Sequence, residues 1–402
     1  DNGAASPAAS DVRLPVGTDG QILTAESSQA TGLLWQSVHP NASATTDNQL
    51  ARYNTPVGTE EPAPVQTSSI KLTDNGALQH TGGNAKGTDA IDIQPSRAVA
   101  TQVASGANSF LVGKNSTASG ADSVAIGDTN VASSANSVAI GDTATASGIG
   151  AVALGTNSTA SGLKSVVSGG DGCTASGAKS VVGGGQICQA TGDESVCAGG
   201  DANVASGTTS SVLGGSANAA TALNSGVLSG RDNVAGADNS AIIGGRQAST
   251  TLYGQIAHSS GQFAAVGDSE TFELLWRAST SDGTVGVELF LDGATASQRA
   301  AVPVGASWVF QLLMIARSSA GVTVGWKAEG VIQNNGGTTA IVGAAIVPVV
   351  LGDGSGGTWG VAAGMQVAAD NANDSLKISA TGAAATLIRW TCWGRIVQTS
   401  YP

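Results

Sequence analysis

Residues 123–148 read SVAIGDTNVASSANSVAIGDTATASG, nearly the same phrase twice, fourteen residues apart. One copy is too short to bury the apolar surface that would offset its backbone entropy, so copies must stack on one another. The repeat covers residues 105–250, as four coils of fourteen residues followed by six of fifteen. The fifth position is Ser in nine of ten coils, with Ala151 in the other. The ninth is Gly in nine coils, at Gly113, Gly127, Gly141, Gly155, Gly169, Gly184, Gly199, Gly214 and Gly244, with Ser229 the exception. In the fifteen-residue coils a second Gly always follows, so the added residue enters at a turn, where it disturbs strands least.

Each coil carries one short apolar run, such as VAI at residues 124–126 and 138–140. Three or four residues between Gly and Ser suit a strand and fall far below helix length. Gly after each run permits the positive φ of a tight corner. Equivalent positions then stack at roughly 4.8 Å, and ten coils make a rod of about 48 Å. With a few Val, Ile and Ala per coil the rod is thin, and several chains side by side would bury more, which cyclic symmetry allows.

This repeat explains a composition that would otherwise suggest disorder: 57 glycines, 4% aromatic and 11% charged residues among 402. The net charge of -12 argues against nucleic acid as a partner. The longest apolar run, residues 340–351, is broken by Gly343 and Pro348 and reads as a buried strand, so the chain is not expected to be membrane-embedded. No signal-peptide pattern opens the sequence, and a first residue of Asp leaves room for upstream sequence. Cys173, Cys188, Cys197 and Cys392 have neither CxxC nor even spacing and read as small buried hydrophobes.

Coils such as ANSVAIGDTATASG resemble the head repeats of trimeric autotransporter adhesins of the YadA type. The resemblance implies a left-handed parallel β-roll joined as a homotrimer; the number three comes from it alone. Upstream, RLPVGTDGQILTAESSQATGLLWQSV (residues 13–38) reads as two short strands around residues 21–25 and 33–38, and is similar to a segment of bacteriophage tail fibres. DNQLARYN (47–54), VQTSSIKLTDNGAL (65–78) and AIDIQPSRAVATQVASGANS (90–109) resemble successive parts of such fibres, in the same order. Residues 1–104 are therefore expected to face the virion and to meet other tail or baseplate proteins.

Residues 251–402 hold twelve of the fifteen aromatics and form a globular unit. About eight strands, near 271–278, 285–291, 307–317, 322–331, 340–350, 360–368, 375–380 and 385–397, argue a β-sandwich that is jelly-roll-like. NDSLKISATGAAATLIRWTCWGRIV (373–397) resembles the closing segment of phage tail proteins with such a tip. The fold class is thus all-β, a solenoid followed by a sandwich.

Chemistry is sparse. Glu270, Glu273, Glu288 and Asp292 could supply the carboxylate pair of a glycan-cleaving tailspike, but acids on sandwich strands are usually solvated. Nucleophile-elbow, HExxH and phosphate-loop patterns are absent from the sequence, and DNAND (370–374) lacks the Gly and Glu of a calcium loop. No catalysis, cofactor or metal is expected. Candidate receptor contacts are the loop residues Asn334, Asn335, Asp353, Asp370, Asn371 and Asn373, whose side chains can bond sugar hydroxyls, with Trp359 as an exposed stacking ring. The reading is a non-enzymatic receptor-binding fibre of a phage tail that contacts a host surface glycan or an outer-membrane receptor. The alternatives are a fragment of a bacterial trimeric adhesin and a tailspike with glycan hydrolase activity.

Overall fold

A computed structural model describes the strands Gln21–Ala25, Leu33–Ser37, Gln49–Arg52, Gln66–Leu72 and Leu78–His80 and residues 84–293, 298–361 and 364–401. The chain divides into a unit ending at Thr73 and a larger one beginning at Asp74. In the first, Gln21–Ala25 pairs antiparallel with Leu33–Ser37, and Gln49–Arg52 with Gln66–Leu72. The Pro-rich stretch between the second pair lies outside the described residues.

The larger unit is a parallel β-solenoid that merges into a β-sandwich, with no helix among the described residues. Two ladders of parallel strands run along the solenoid. One stacks the apolar runs: Phe110–Lys114, Val124–Asp128, Val138–Asp142 and Val152–Thr156, then two-residue strands from Val166–Val167 to Gly226–Val227, and last the longer Ala241–Arg246. The other stacks the two-residue strands that close the coils, from Thr117–Ala118 to Ser249–Thr250. Pairing follows the fourteen- and fifteen-residue register throughout: Ala139 lies beside Ala153, and Val167 beside Val182. The first ladder continues past both ends of the repeat, to Leu78–His80 and Ile91–Ile93 on one side and Ile256–Ser260 on the other.

Strand alternation sends every second side chain inward. The interior row is Leu111, Ala125, Ala139, Ala153, Val167, Val182, Cys197, Val212, Val227, Ile242 and Ala257, all buried. The fifth-position Ser is buried as well, and in six of the nine its hydroxyl donates to the carbonyl three residues back, as from Ser137 to Ser134 (2.6 Å) and from Ser195 to Gly192 (2.6 Å); the hydroxyls of Ser123, Ser165 and Ser210 are buried without a partner. This bond explains why the position holds Ser and not a larger apolar residue.

The glycine pattern shifts where coils lengthen. Gly113, Gly127, Gly141 and Gly155 have φ of 146°, 121°, 143° and 116°, and a Cβ on any of them would press on the backbone of the next coil. In the longer coils that duty passes to the following residue: Gly170, Gly185, Gly200, Gly215, Gly230 and Gly245 have φ of 92–105° and the same close approach. Gly169, Gly184, Gly199 and Gly214 face open space instead, so they are not the equivalents of Gly155 that the ninth-position count implies. The inserted residue is the ninth, which is why Ser229 fits there. Gly244 keeps a positive φ of 152°.

Among the described residues the sandwich contains eleven strands: β1 (Ile256–Ser260), β2 (Ser269–Thr280), β3 (Val287–Glu288), β4 (Ala300–Ala301), β5 (Ala306–Ser318), β6 (Thr323–Asn335), β7 (Thr338–Ile341), β8 (Val349–Asp353), β9 (Met365–Asp370), β10 (Ser375–Ala380) and β11 (Ile388–Ser400). The large sheet runs β1-β2-β11-β5-β6, with β7 and β8 sharing the far edge of β6. The small sheet places β9 on one edge of β10 and β3 and β4 on the other. First and last long strands pair, as in a jelly roll, while β5 and β6 stay in one sheet as a hairpin. The strand expected over 340–350 is two strands, β7 and β8, because Gly343 turns the chain at φ 89° and Pro348 cannot donate to a ladder.

The two sheets enclose Phe272, Trp276, Trp308, Phe310, Leu312, Met314, Trp326, Leu376, Ile378 and Trp390, all buried. The solenoid and the sandwich share one sheet and one interior. β1 is the last parallel strand of the coil ladder and pairs antiparallel with β2, so Ala257 stands beside Phe272. The interior row continues to Ile396 and Phe310 without a break.

Candidate binding surfaces of the terminal domain

The candidate loop residues fall on opposite ends of β6. Asn334 and Asn335 end the strand, while Asp353 pairs with Val324 at its start. Ten residues of extended chain separate Val324 from Asn334, about 33 Å, too far for one small ligand to touch both.

At the first end two loops are tied into one platform. Asn334 is buried: its Nδ2 donates to the Val302 carbonyl (2.9 Å) and its Oδ1 accepts from the Gly337 amide (3.0 Å). It therefore holds the turn and is not available to a receptor. Thr339 links this hairpin to residues 370–374, donating its amide to Asn371 Oδ1 (2.7 Å) and its hydroxyl to Asp374 Oδ1 (2.8 Å). Asp370 accepts from Asn373 Nδ2 (2.7 Å), and that bond first among several holds its carboxyl below the usual carboxylate range. Asn335, Asn371 and Asn373 remain exposed on this frame.

At the other end Asp353 folds its own loop. Its carboxylate accepts from the Ser355 amide (2.7 Å) and hydroxyl (2.5 Å) and from the Gly357 amide (2.8 Å), and the Ser355 hydroxyl above all lowers its pKa. Trp359 is not exposed. It is 6% accessible, with its ring centroid 5.7 Å from Trp390 and 6.5 Å from Trp326. The glycine-rich loop curls over the sandwich and inserts Trp359 as a lid on the tryptophan cluster, so this ring serves stability, not sugar stacking.

The acids considered for catalysis are bound elsewhere. Glu270 is buried where solenoid meets sandwich; it accepts from the Ser249 amide (2.9 Å) and Gln255 Nε2 (3.4 Å), and burial pushes its pKa up to about 7. Glu273 lies on the opposite face of β2 and accepts from Trp393 Nε1 (3.1 Å). Glu288 pairs with Arg299 (3.0 Å). The Asp292 carbonyl accepts from Arg277 (2.9 Å).

A buried polar column escaped the sequence reading. Asn203, Asn218 and Asn233 stack fifteen residues apart inside the solenoid, and each Oδ1 accepts an amide of the next coil (2.9–3.1 Å). Their Nδ2 atoms donate to Gly215, Gly230 and Gly245 carbonyls (2.8–3.1 Å). Cys173 and Cys188 take this column's place in the two preceding coils, so those thiols stand in for amides; all four cysteines are free and buried. The signal was available: three asparagines at the repeat period in one register.

These features define a β-solenoid protein whose sheet ends in an aromatic-cored sandwich. Within the rod, residues 104–171 match the model of the YadA head domain repeat (2 copies) in four overlapping stretches, 104–130, 118–144, 132–158 and 146–171. No curated protein matches the chain.

Proposed function

We propose that the chain is the receptor-binding fibre of a bacteriophage tail, a non-enzymatic homotrimer made in the host cytoplasm and assembled into the virion. The observation that carries the oligomer is the outer face of the solenoid's first ladder. Val124, Val138, Val152, Ile126, Ile140 and Leu154 stand half-buried there, and Leu213, Leu228, Ile243 and Ile256 are 44–55% exposed. Such a stripe on a thin rod calls for a partner, and the likeness to YadA-type repeats supports two further copies. The repeats then form a rigid spacer, the first unit docks on tail or baseplate proteins, and the terminal sandwich meets the host.

Asn335, Asn371 and Asn373 are the contacts proposed for a surface glycan, because rigidly held amides offer both donors and acceptors to hydroxyls. Three copies would add avidity to a weak single site. Antibody against the chain should decorate tail fibres in electron micrographs of virions, and the purified trimer should slow phage adsorption. Labelling of a bacterial surface in place of virions would refute the tail reading. That result would favour the second reading, a fragment of a bacterial trimeric adhesin, which the repeat match at 104–171 supports.

A further inference from the structure

The stripe on the solenoid does not stop where the repeats stop. Because β1 belongs to both ladder and sandwich, the outer face of the solenoid sheet becomes the outer face of the large sheet, the side away from the small sheet. On that face Leu275, Val309, Leu313, Ile315, Val397 and Leu351 are 43–58% exposed. A two-layer sandwich ordinarily turns polar residues to water on this side, so six large apolar side chains there require cover.

The middle rung of this face sets acids beside a cation, while Arg277, Lys327, Arg317 and Arg389 stand on the rungs toward one end. Glu273, Arg395, Gln311 and Glu329 stand directly opposite one another on β2, β11, β5 and β6. Glu273 is engaged by Trp393, and Glu329 by Gln311 (2.9 Å). Arg395 lies between the two acids, lining shallow grooves on both sides of it, of about 300 and 600 Å³. A rung with one cation between two anions complements the same rung of a second copy, so that Arg395 of one copy meets an acid of the next.

We propose that the outer face of the large sheet, from Leu275 to Leu351, is the interface between copies of this chain within the terminal domain, continuous with the solenoid stripe. The proposal rests on the trimeric reading above and deepens it. It also assigns recognition by exclusion: the face of the small sheet and the loops at the strand ends remain outward, while the grooves beside Arg395 and Leu313 are closed by neighbouring copies.

Three single-cysteine variants of the full chain test this, treated with a short bismaleimide and read by denaturing gel. The native cysteines are buried and do not compete. Ile140→Cys probes the solenoid stripe, Leu313→Cys the proposed interface, and Ala368→Cys the exposed side of the small sheet. Covalent dimers from the first two, since one bismaleimide joins the single cysteines of two chains, with single chains from the third, are expected. Covalent dimers from Ile140→Cys with single chains from Leu313→Cys, and a three-chain mass by light scattering, would overturn the interface while leaving the trimer standing. Single chains from all three, with a single-chain mass by light scattering, would overturn both. In addition, Arg395→Glu should reduce Leu313→Cys cross-linking several-fold, and Arg395→Glu with Glu329→Arg should restore it; an unchanged yield would refute the charge register.

Discussion

Adjacent glycines in one coil should respond very unequally to the same methyl group. At Gly169 a Cβ meets open space. At Gly170 φ is 97°, outside the region an alanine tolerates, and the Cβ would lie well inside contact with the Gly185 carbonyl. Backbone strain of this kind costs about 1–3 kcal/mol. Forcing a methyl into a packed interior costs about another 1–3 kcal/mol. Gly170→Ala should therefore destabilise each chain by roughly 2–6 kcal/mol, whereas Gly169→Ala should stay within about 0.5 kcal/mol of the parent. Guanidinium unfolding of the full chain followed by far-ultraviolet circular dichroism reads the difference directly. Gly185→Ala against Gly184→Ala repeats the comparison one coil further on. Equal effects at the two positions would mean that the extra residue of the longer coils enters elsewhere, and that the assignment of the second glycine to the inter-coil contact is wrong.

Trp359→Ala should cost about 3–5 kcal/mol, as for a buried ring; a melting temperature within 2 °C of the parent, the behaviour of a surface site, would refute the lid role. Burial lifts the Glu270 carboxyl from 4.5 to about 7, so the folded chain holds a proton that the unfolded chain has released. Stability should fall as pH rises between those values, by roughly 3 kcal/mol at most, and Glu270→Gln should flatten that slope in urea titrations at pH 5 and 8. Excising residues 176–190, one whole coil, should leave a soluble rod shorter by about 4.8 Å. Excising 176–182 should aggregate it or lower its melting temperature sharply, because turn residues would then stack on apolar runs.

The solenoid was legible because its period is written in the residues: every strand of the repeat falls where the fourteen- and fifteen-residue register puts it. What the period could not reveal was which of two neighbouring glycines is obligatory, since that depends on a carbonyl one coil away. The sandwich was legible as a class, from alternation such as Trp308, Phe310, Leu312 and Met314, all buried. Its ends were not. Position after a loop says nothing of burial, so Trp359 looked exposed. Polar loops scattered over forty residues of sequence looked like one surface, whereas the length of β6 holds Asn335 and Asp353 at opposite ends. The asparagine column was overlooked because polar residues in a repeat read as solvent-facing, yet a coil interior this narrow leaves amides as partners for the stacked backbone.

A stack of parallel strands leaves an open edge at each end, a template for unwanted pairing, and this chain closes the two ends by different means. Near the start, one strand in from Leu78–His80, Asp92 is fully buried in the strand Ile91–Ile93, with Arg97 at 2.8 Å and Lys86 at 3.8 Å, and it accepts from the amide of Ala104 (3.1 Å), where the second ladder begins. A buried charge with several partners fixes one geometry where removal of any partner would leave an uncompensated ion. At the other end the edge is capped antiparallel by β2, through Ile256–Glu273, Ala257–Phe272 and His258–Thr271, and secured by Glu270 reaching back to Ser249. Three residue pairs suffice there because β2 runs on to Thr280 and is held by β11 along its whole length. The sandwich is thus more than cargo on a rod. It continues the rod's sheet, interior and apolar face, so a terminal domain begun at residue 269 would expose the β2 edge that β1 covers. The proposed recognition role is therefore best tested on a chain that retains at least the last coils.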